Sequence, residues 1–245
     1  MLINTHTYYS FRYGTLNTKD LLLELQKAGV KRFALTDING TPASINFVRL
    51  APKFDIEPVL GVDFRNGADQ LFVAIAKGNE GFKEINDYLS SYLHSGERIP
   101  ERAPSFKNVY VVYPFSKYSG WKLKKLEFVG IKPTDLPRLI YPPHQMDQEK
   151  MVVLQTATFR SKLDEEAGKR VVSKRDFNAH RLLRAVDNNT LLSMLPKSEE
   201  GSPNDFIYPL DELLSLYIDH PYMIENTERL LSSCSIHFDF AGENL

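Results

Sequence analysis

The sequence contains very little of several features that would assign it to a specialised class of protein. Its single cysteine, Cys234, cannot form an internal disulfide, and the apolar residues before it predict a buried thiol on a helix. The chain has no apolar stretch of membrane-spanning length, and it does not open with the basic and apolar segments of a secretory leader. We therefore expect a cytoplasmic protein with no membrane partner.

Excess positive charge is also missing. The chain of 245 residues has 30 Lys and Arg against 31 Asp and Glu, a formal net charge of -1. A surface that neutralises many phosphates needs a basic excess, so we expect DNA contact by this chain alone to be weak. Lys122, Lys124 and Lys125, beside Trp121, are candidates for contact with a nucleic-acid backbone. The alternative, a charged helix face that covers an apolar stripe, is favoured.

Motifs of nucleotide binding and of nucleophilic catalysis are absent from the sequence. It has no Walker A loop, no Gly-x-Gly-x-x-Gly fingerprint and no Ser, His and Asp arrangement. His180, next to Arg181 and near Arg184, is interpreted as part of a solvated helix face. The remaining scattered histidines show no zinc-ligand spacing: His94, His144, His220 and His237.

Short apolar runs rich in β-forming residues alternate with segments of helical period. This alternation is typical of βα units, so it predicts an α/β fold with a largely parallel sheet. With 42% hydrophobic residues, the chain can bury the core of one large domain. The predicted strands lie at residues 2–4, 32–37, 58–64, 71–76, 109–115, 128–131 and 151–156.

Capping residues and glycines mark the predicted helix boundaries. Thr18 is the predicted cap of a first helix that Gly29 ends, and Thr41 followed by Pro42 predicts the start of a second. A third helix is predicted from residue 79 to near residue 96. Later helices are predicted at 210–218, at 222–234 and from residue 173, the last with a stripe of Phe177, Leu182, Leu183 and Val186. A surface loop is predicted at 94–108 and a rigid turn at 141–145.

Several blocks, in order along the chain, match the blocks of one known protein family. The family's His-x-His-[ST]-x-[FY]-Ser block is matched at residues 4–10, with Asn4 in place of the first histidine. Its Thr-Asp-His block is matched by Thr36 and Asp37, with Ile38 where the histidine would be. Two further blocks match residues 57–63 and 70–82, and looser matches cover 156–159 and 206–213. Together these blocks resemble the PHP (polymerase and histidinol phosphatase) domain at the N-terminus of bacterial DNA polymerase III alpha subunits.

This resemblance implies a single PHP domain over residues 1–245, with a distorted (β/α)7 barrel similar to a TIM barrel. The chain would be the N-terminal piece of a much longer polymerase, and residues 205–245 would lead towards the polymerase palm. In the family, nucleotidyl transfer is carried by palm carboxylates, which this sequence does not contain. The family's PHP domain supports the palm and thumb and lies near the proofreading exonuclease subunit, so these are the expected partners.

The family's metal cluster needs several histidine and carboxylate ligands for each ion. At the aligned positions, His6, Asp37 and Asp63 remain credible ligands, enough for one weakly held divalent ion at most. The sequence therefore predicts no catalytic residue and no other cofactor in this domain. Ligands are replaced at Asn4, Ile38, Gln70, Ala157 and Phe159.

The three remaining residues also have interpretations without a metal. His6 is expected to hydrogen-bond Asp37 across neighbouring strand ends, and this is favoured over ligation. Asp37 is alternatively a cap of the turn that follows it, and Asp63 a solvated loop residue. Apolar packing by Ile38 and Phe159 is expected to replace the stabilisation that a metal would supply.

We therefore expect a structural domain of the replicative polymerase whose phosphoesterase site is largely lost. The first alternative is an active metal-dependent phosphoesterase or proofreading 3′–5′ exonuclease of the PHP family, which needs the full ligand set. The second is a free-standing α/β interaction module. For the scaffold, the predicted docking surface is the segment 210–234, with Tyr217, Tyr222 and Met223 exposed.

Overall fold

One mixed sheet flanked by helices organises the chain. The computed structural model describes residues 1–140 and 146–240. The sheet contains β1 (Leu2–Thr5), β2 (Arg32–Leu35), β3 (Glu57–Asn66), β4 (Asp69–Ala76), β5 (Val109–Pro114), β6 (Glu127–Ile131), β7 (Met151–Val153) and β8 (Thr156–Ala157). A hairpin of β9 (Ser161–Asp164) and β10 (Lys169–Val172) is separate from it. The α-helices are α1 (Thr18–Lys27), α2 (Ser44–Leu50), α3 (Asn79–Ser95), α4 (Lys174–Asp187), α5 (Leu210–Leu216) and α6 (Pro221–Ser232).

The sheet is strongly curled. Its strand order is β7-β6-β5-β4-β3-β2-β1-β8, so the two edge strands are β7 and β8. These strands are nearly consecutive in the chain, because only residues 154 and 155 lie between them. A chain of three Cα steps spans at most about 11 Å, so the two edges must approach each other. The result is a half-barrel that is consistent with a distorted barrel.

Most neighbouring strands are parallel, but β4 runs antiparallel to both β3 and β5. A tight turn joins β3 to β4, with Gly67 at a φ of 64°. Glycine adopts this left-handed conformation without strain. The described residues place eight strands in the curled sheet, so the α/β class agrees with the prediction, while the count of seven βα units is not confirmed.

The central strands are buried on both faces, which explains why apolar runs predicted them. The strands β3, β4 and β5 are nearly continuous runs of buried residues, as is typical of strands covered on both faces. All seven predicted strands are present. The sequence missed β8 as a separate strand because it is two residues long, and it missed the hairpin of β9 and β10 because that hairpin is largely polar.

The helix ends agree with the predictions in part. α1 is capped by Asn17 rather than Thr18, because the Asn17 side chain accepts a hydrogen bond from the Asp20 amide at 2.8 Å. α2 begins at Ser44, two residues after Pro42. α3 ends as predicted, with Gly96 in the left-handed conformation.

The predicted exposure of the C-terminal aromatic residues is wrong. Tyr217 and Met223 are fully buried, and Tyr222 is partly buried against the core. The Tyr217 hydroxyl donates a hydrogen bond to the Ile131 carbonyl at the end of β6 at 2.7 Å. The segment 210–234 therefore uses these side chains to close the domain, and they are not available as a docking surface.

The four residues of the predicted stripe on α4 do not share one environment, since Phe177 and Leu183 are partly buried. Leu182 and Val186 are exposed, whereas the buried residues of this helix are Asp176, His180, Arg184 and Ala185. This exposure is unusual, because an apolar stripe on a helix usually faces the core. Here the buried side of the helix is mainly polar.

Three smaller expectations can also be compared with the structure. Cys234 is buried as predicted, although it lies two residues beyond α6, and its burial raises the pKa of the thiol to about 12. Residues 96–108 form the predicted loop between α3 and β5. The turn predicted at 141–145 and the last residues, 241–245, lie outside the described residues. Among the helices that are described, none has the length and apolar character needed to cross a bilayer.

The edge of the sheet at β7 depends on one hydroxyl of α6. The Val153 amide donates to Thr227 Oγ1 at 2.8 Å, and this buried hydroxyl donates to the Met223 carbonyl at 2.7 Å. We expect Thr227→Val to destabilise the protein by about 1–3 kcal/mol, because it leaves a buried amide without an acceptor. Urea denaturation measures this. The exposed change Thr134→Val serves as control and should stay within about 0.5 kcal/mol of the wild type. An equal effect of both changes would contradict this role of the hydroxyl.

Candidate functional site

The three predicted ligand positions lie on neighbouring strands, two of them just after the carboxyl ends of β1 and β2 and the third within β3. His6 follows β1, Asp37 follows β2, and Asp63 lies on β3, joined to Ile38 by an isolated bridge. All three are buried. Carboxyl ends of parallel strands are where α/β folds build their sites. The predicted convergence of these residues is therefore present, and their individual contacts decide what they do.

Asp63 is the centre of a dense set of hydrogen bonds. Its Oδ2 atom accepts from Arg65 Nη2 at 2.7 Å and Nε at 3.0 Å, and from His6 Nε2 at 3.0 Å. It also accepts from Gln70 Nε2 at 2.9 Å and from Asn4 Nδ2 at 3.3 Å. Its Oδ1 atom is buried and has no hydrogen-bond partner among the described residues. We name this group the Asp63 cluster, which consists of Asn4, His6, Asp63, Arg65 and Gln70.

Arg65 is the functional residue that the sequence analysis missed. Its side chain is 5% exposed and forms an ion pair with Asp63 inside the sheet. The predicted strand ended at residue 64, whereas β3 continues to Asn66. Residues two apart on a strand project from the same face, so extending the strand would have brought Arg65 next to Asp63.

The charges of this pair stabilise each other. Burial alone would raise the pKa of Asp63, but the Arg65 guanidinium and the hydrogen bond from His6 hold it well below its ordinary value. Burial alone would lower the pKa of Arg65, and the Asp63 carboxylate raises it above its ordinary value instead. The Arg65 guanidinium also lies 4.8 Å from the centre of the Tyr13 ring. Both groups are therefore charged, and each is the counter-ion of the other.

His6 is fixed through both ring nitrogens. A carboxylate only accepts, so Nε2 carries the proton that is donated to Asp63, and Nδ1 lies 2.8 Å from Thr158 Oγ1. The favoured hydrogen bond between His6 and Asp37 is therefore a wrong prediction, because the partner is Asp63. The interpretation of Asp63 as a solvated loop residue is also wrong, since it is fully buried on a strand.

Asp37 holds the loop that follows β1. Its Oδ1 accepts from the Thr7 amide at 2.6 Å and from Ser10 Oγ at 2.7 Å, and its Oδ2 accepts from Thr7 Oγ1 at 2.7 Å. Burial raises the pKa of Asp37, and these hydrogen bonds offset part of that rise. The Asp37 carboxylate therefore caps the loop after β1. The prediction was that it would cap the turn that directly follows Asp37. Gly14 closes this loop, since a Cβ there would lie 1.8 Å from the Thr7 carbonyl oxygen.

The replaced ligand positions have varied environments. Phe159 is fully buried and packs edge-on against Phe177 and His180, as expected for apolar packing. Ala157 is buried in β8. Ile38 is only partly buried, so the expected packing role of this residue is weaker than predicted.

A second buried polar group connects the site to α4. His180, predicted to be solvated, is fully buried: its Nδ1 donates to the Tyr13 carbonyl at 2.7 Å and its Nε2 accepts from the Gly201 amide at 2.7 Å. Arg184 donates to the Glu199 carbonyl and carboxylate at 2.9 and 2.8 Å. The Tyr13 ring contacts both His180 and Arg65, so it links this group to the Asp63 cluster.

The basic and aromatic patch lies in a loop and not on the favoured helix face. Residues 118–126 contain no helix, and Lys122, Lys124 and Lys125 are exposed. Trp121 packs edge-on against Tyr113 at 5.4 Å and is therefore not a free surface for stacking. Contact of these lysines with a nucleic-acid backbone stays a prediction.

A cleft of about 770 Å³ opens beside the Asp63 cluster and is bordered by Gln70. Its walls carry charges of both signs, with Lys117 paired to Asp69 at 2.7 Å. A phosphate-binding cleft would be dominated by positive charge, and this one is not. Over residues 1–140 and 146–240, no group of three or more His, Cys, Asp and Glu residues is arranged to hold a metal ion.

Comparison of the sequence with known proteins shows which family and which proteins the chain is similar to. The profile of the PHP domain family matches residues 3–126. The chain is 22% identical to the DNA polymerase III subunit alpha of Neisseria meningitidis over 99% of its own length and 24% of that protein. It is 24% identical to the same subunit of Bacillus subtilis over 96% of its length and 23% of that protein. It is 26% identical to the error-prone DNA polymerase of Mycobacterium tuberculosis over 39% of its length and 10% of that protein. The chain thus spans about a quarter of the length of the alpha subunits that it matches.

Removal of the Arg65 charge tests the ion pair. Arg65→Met should destabilise the protein by about 3–5 kcal/mol at pH 7, because it leaves the Asp63 carboxylate buried without a counter-ion. In the double variant with Asp63→Asn most of that loss should disappear, since no buried charge remains. Denaturant unfolding measures both. The control is Arg12→Met, which removes an exposed pair with Asp187 and should cost less than about 1 kcal/mol. A double variant as unstable as Arg65→Met would contradict the electrostatic explanation.

The buried His180 predicts a pH dependence of stability. Burial lowers the pKa of His180 from 6.5 to about 4, so between these values the unfolded chain binds a proton that the folded chain does not. The contribution of neutral His180 to the free energy of unfolding is complete above pH 6.5. It is lost as the pH falls towards 4, and the loss amounts to about 3 kcal/mol. We expect His180→Gln to flatten the stability profile between pH 7 and pH 4.5, measured by denaturant unfolding. The exposed change His94→Gln should leave the profile unchanged, and equal profiles for all three proteins would contradict this assignment.

Proposed function

Because the chain belongs to the PHP domain family, we propose that it is the N-terminal domain of a DNA polymerase III alpha subunit and supports that polymerase as a scaffold. The proposed domain covers residues 1–245, with 205–245 leading towards the palm. The similarity to alpha subunits over nearly the whole chain supports the parent protein. The contacts of Asp63 support the structural role, because they replace a metal by an internal cation.

The observation that carries this proposal is the position of the Arg65 guanidinium. A hydrolytic metal site needs carboxylate oxygens that are free to bind ions and an open position for water. Here Asp63 Oδ2 already accepts hydrogen bonds from Arg65, His6 and other described residues. Two unit charges 4 Å apart repel by about 4 kcal/mol at an effective dielectric constant of 20, and a divalent ion roughly doubles this. A fixed guanidinium beside Asp63 therefore disfavours a metal ion at the same carboxylate.

The other two candidate ligands support the same conclusion. His6 has hydrogen-bond partners at both ring nitrogens, so metal binding would require it to break one of them. Asp37 has hydrogen bonds to both carboxylate oxygens from the loop after β1. The donors that remain from the family's ligand set are therefore used for internal structure. They do not fit the family's metal cluster, and we derive no reaction step through one.

One observation favours a second candidate, a residual single-ion site in an active or formerly active phosphoesterase. Asp63 Oδ1 is buried and has no hydrogen-bond partner among the described residues, and such an oxygen is a suitable cation ligand. The scaffold remains the better proposal, because Arg65 already supplies a positive charge to this carboxylate. A free-standing interaction module would differ from both in the reading frame, which would contain no polymerase palm.

The proposed partners follow from the parent protein. The palm and thumb of the same polymerase are the partners of the scaffold, and the proofreading exonuclease subunit is a further one. The cytoplasm is the proposed compartment, because the relatives are DNA polymerases. DNA binding by this domain is proposed to be weak, since its net charge is close to zero.

Metal content and hydrolysis test the scaffold proposal. We expect substoichiometric transition metal in the purified protein by elemental analysis, no change of melting temperature with a chelator, and no hydrolysis of a phosphodiester. The physical reason is that the Arg65 guanidinium already places a positive charge next to Asp63, where a metal ion would have to bind. The metal-free Asp63→Asn variant is the control, because it removes the central carboxylate.

Two or more tightly bound ions per chain, together with chelator-sensitive hydrolysis, would overturn the scaffold proposal. If hydrolysis is found and Asp63→Asn abolishes it, the activity belongs to this site and the phosphoesterase is the correct function. If hydrolysis persists in Asp63→Asn, it comes from a contaminant and the scaffold proposal stands. Sequencing the reading frame beyond residue 245 tests the parent protein separately, since a polymerase palm must follow.

A further inference from the structure

The helix α4 is amphipathic in the reverse sense. The residues that it buries are mainly polar or charged, whereas two of its aliphatic residues are exposed to solvent. Helices on the surface of a domain usually turn their apolar side inwards. An apolar side that faces outwards on an ordered helix indicates a partner on that side.

The exposed aliphatic side chains continue from α4 into the turn that follows it. Leu182 and Val186 are one helical turn apart and are 56% and 58% exposed. In the next turn, Leu191 and Met194 are 68% and 67% exposed. We name these four residues, Leu182, Val186, Leu191 and Met194, the α4 patch.

Backbone hydrogen bonds bring the two parts of the α4 patch together. Asn189 adopts a left-handed φ of 47°, and the Thr190 amide donates to the Ala185 carbonyl at 3.0 Å, so the chain reverses at the end of the helix. The Met194 amide then donates to the Leu191 carbonyl at 2.9 Å. This turn packs against α4. The patch is therefore built on ordered backbone.

The helix cannot rotate to bury the patch. Its inner side is fixed by His180, which has buried partners at both nitrogens, and by Arg184, which is hydrogen-bonded to Glu199. Rotation of the helix would break these hydrogen bonds. Each polar group left buried without a partner would then destabilise the protein. The outward direction of Leu182 and Val186 is thus imposed by the buried polar side.

We propose that the α4 patch is the surface on which the remainder of the polymerase chain docks. This inference rests on the proposed function and replaces the wrongly predicted surface at 210–234. The alpha subunits that the chain matches are about four times its length, so a large part of such a protein is available to cover the patch. Aliphatic and methionine side chains surrounded by a polar rim are typical of interface cores. The rim here includes the ion pair of Arg12 with Asp187, at 3.1 Å, next to the exposed ring of Phe11.

Cysteine labelling in the full-length polymerase tests the proposal directly. Val186→Cys places a thiol in the α4 patch, and Leu93→Cys places one on α3 at a side chain that is 65% exposed. Both are treated with a maleimide, and the labelled peptides are quantified by mass spectrometry. We expect the thiol at 186 to react about tenfold more slowly than the thiol at 93, because docking must open before it reacts. Equal rates would overturn the proposal.

Two further readouts separate the other outcomes. Protection that falls on dilution, together with a dimer in light scattering, would overturn the proposal in favour of a second copy of the chain. A full-length variant with all four patch residues changed to Ser should release the N-terminal domain to limited proteolysis, whereas Ile45→Ser with Leu93→Ser should not. Primer extension by the wild type reports on the proposed function separately. An active polymerase with an unprotected patch refutes the docking surface alone, and a protein without polymerase activity refutes the parent assignment.

Discussion

The buried ion pair of Asp63 and Arg65 is the interaction on which the rest of this end of the molecule depends. Transfer of two charges out of water is costly, so such a pair persists only with good geometry and additional hydrogen bonds. Asp37 shows what happens without the cation. It also accepts hydrogen bonds, at both carboxylate oxygens, and is nearly as buried, yet its pKa is raised, whereas that of Asp63 is lowered. Hydrogen bonds alone therefore do not offset the effect of burial on the pKa of Asp37, whereas the Arg65 guanidinium, together with His6, more than offsets it at Asp63.

The Asp63 cluster is connected to the inner side of α4 through Tyr13. The Arg65 guanidinium lies against the Tyr13 ring, and that ring packs edge-on against His180 of the helix. The Tyr13 carbonyl then accepts the proton of His180 Nδ1. The inner side of α4 thus meets mainly polar groups, and Leu182 and Val186 are left on the outer side. In the proposed scaffold, the structural site and the docking surface are therefore two results of one buried polar network.

The sequence predicted the sheet well and the polar interior poorly, for one physical reason. Strands buried on both faces are continuous apolar runs, which single out β3, β4 and β5 without any knowledge of their neighbours. A buried polar residue has no such pattern, because it is tolerated only through partners that are distant in the chain. Arg65 was missed since its strand extends beyond the apolar run, and His180 was assigned to solvent since its partners are Tyr13 and Gly201. The buried polar side of α4 was missed for the same reason.

A guanidinium and a metal ion solve the same electrostatic problem at a carboxylate, but with different chemical consequences. Either one can neutralise Asp63, and here the hydrogen bonds from Asn4, His6 and Gln70 to the same carboxylate tie the neighbouring strands together. A metal ion can keep an open position at which water is bound and made acidic, whereas a guanidinium donates hydrogen bonds and cannot be deprotonated in a protein. In the proposed scaffold, Arg65 therefore preserves the folding role of a cation while it removes the means to activate water. Selection for a stable docking domain can maintain that exchange without any requirement for hydrolysis.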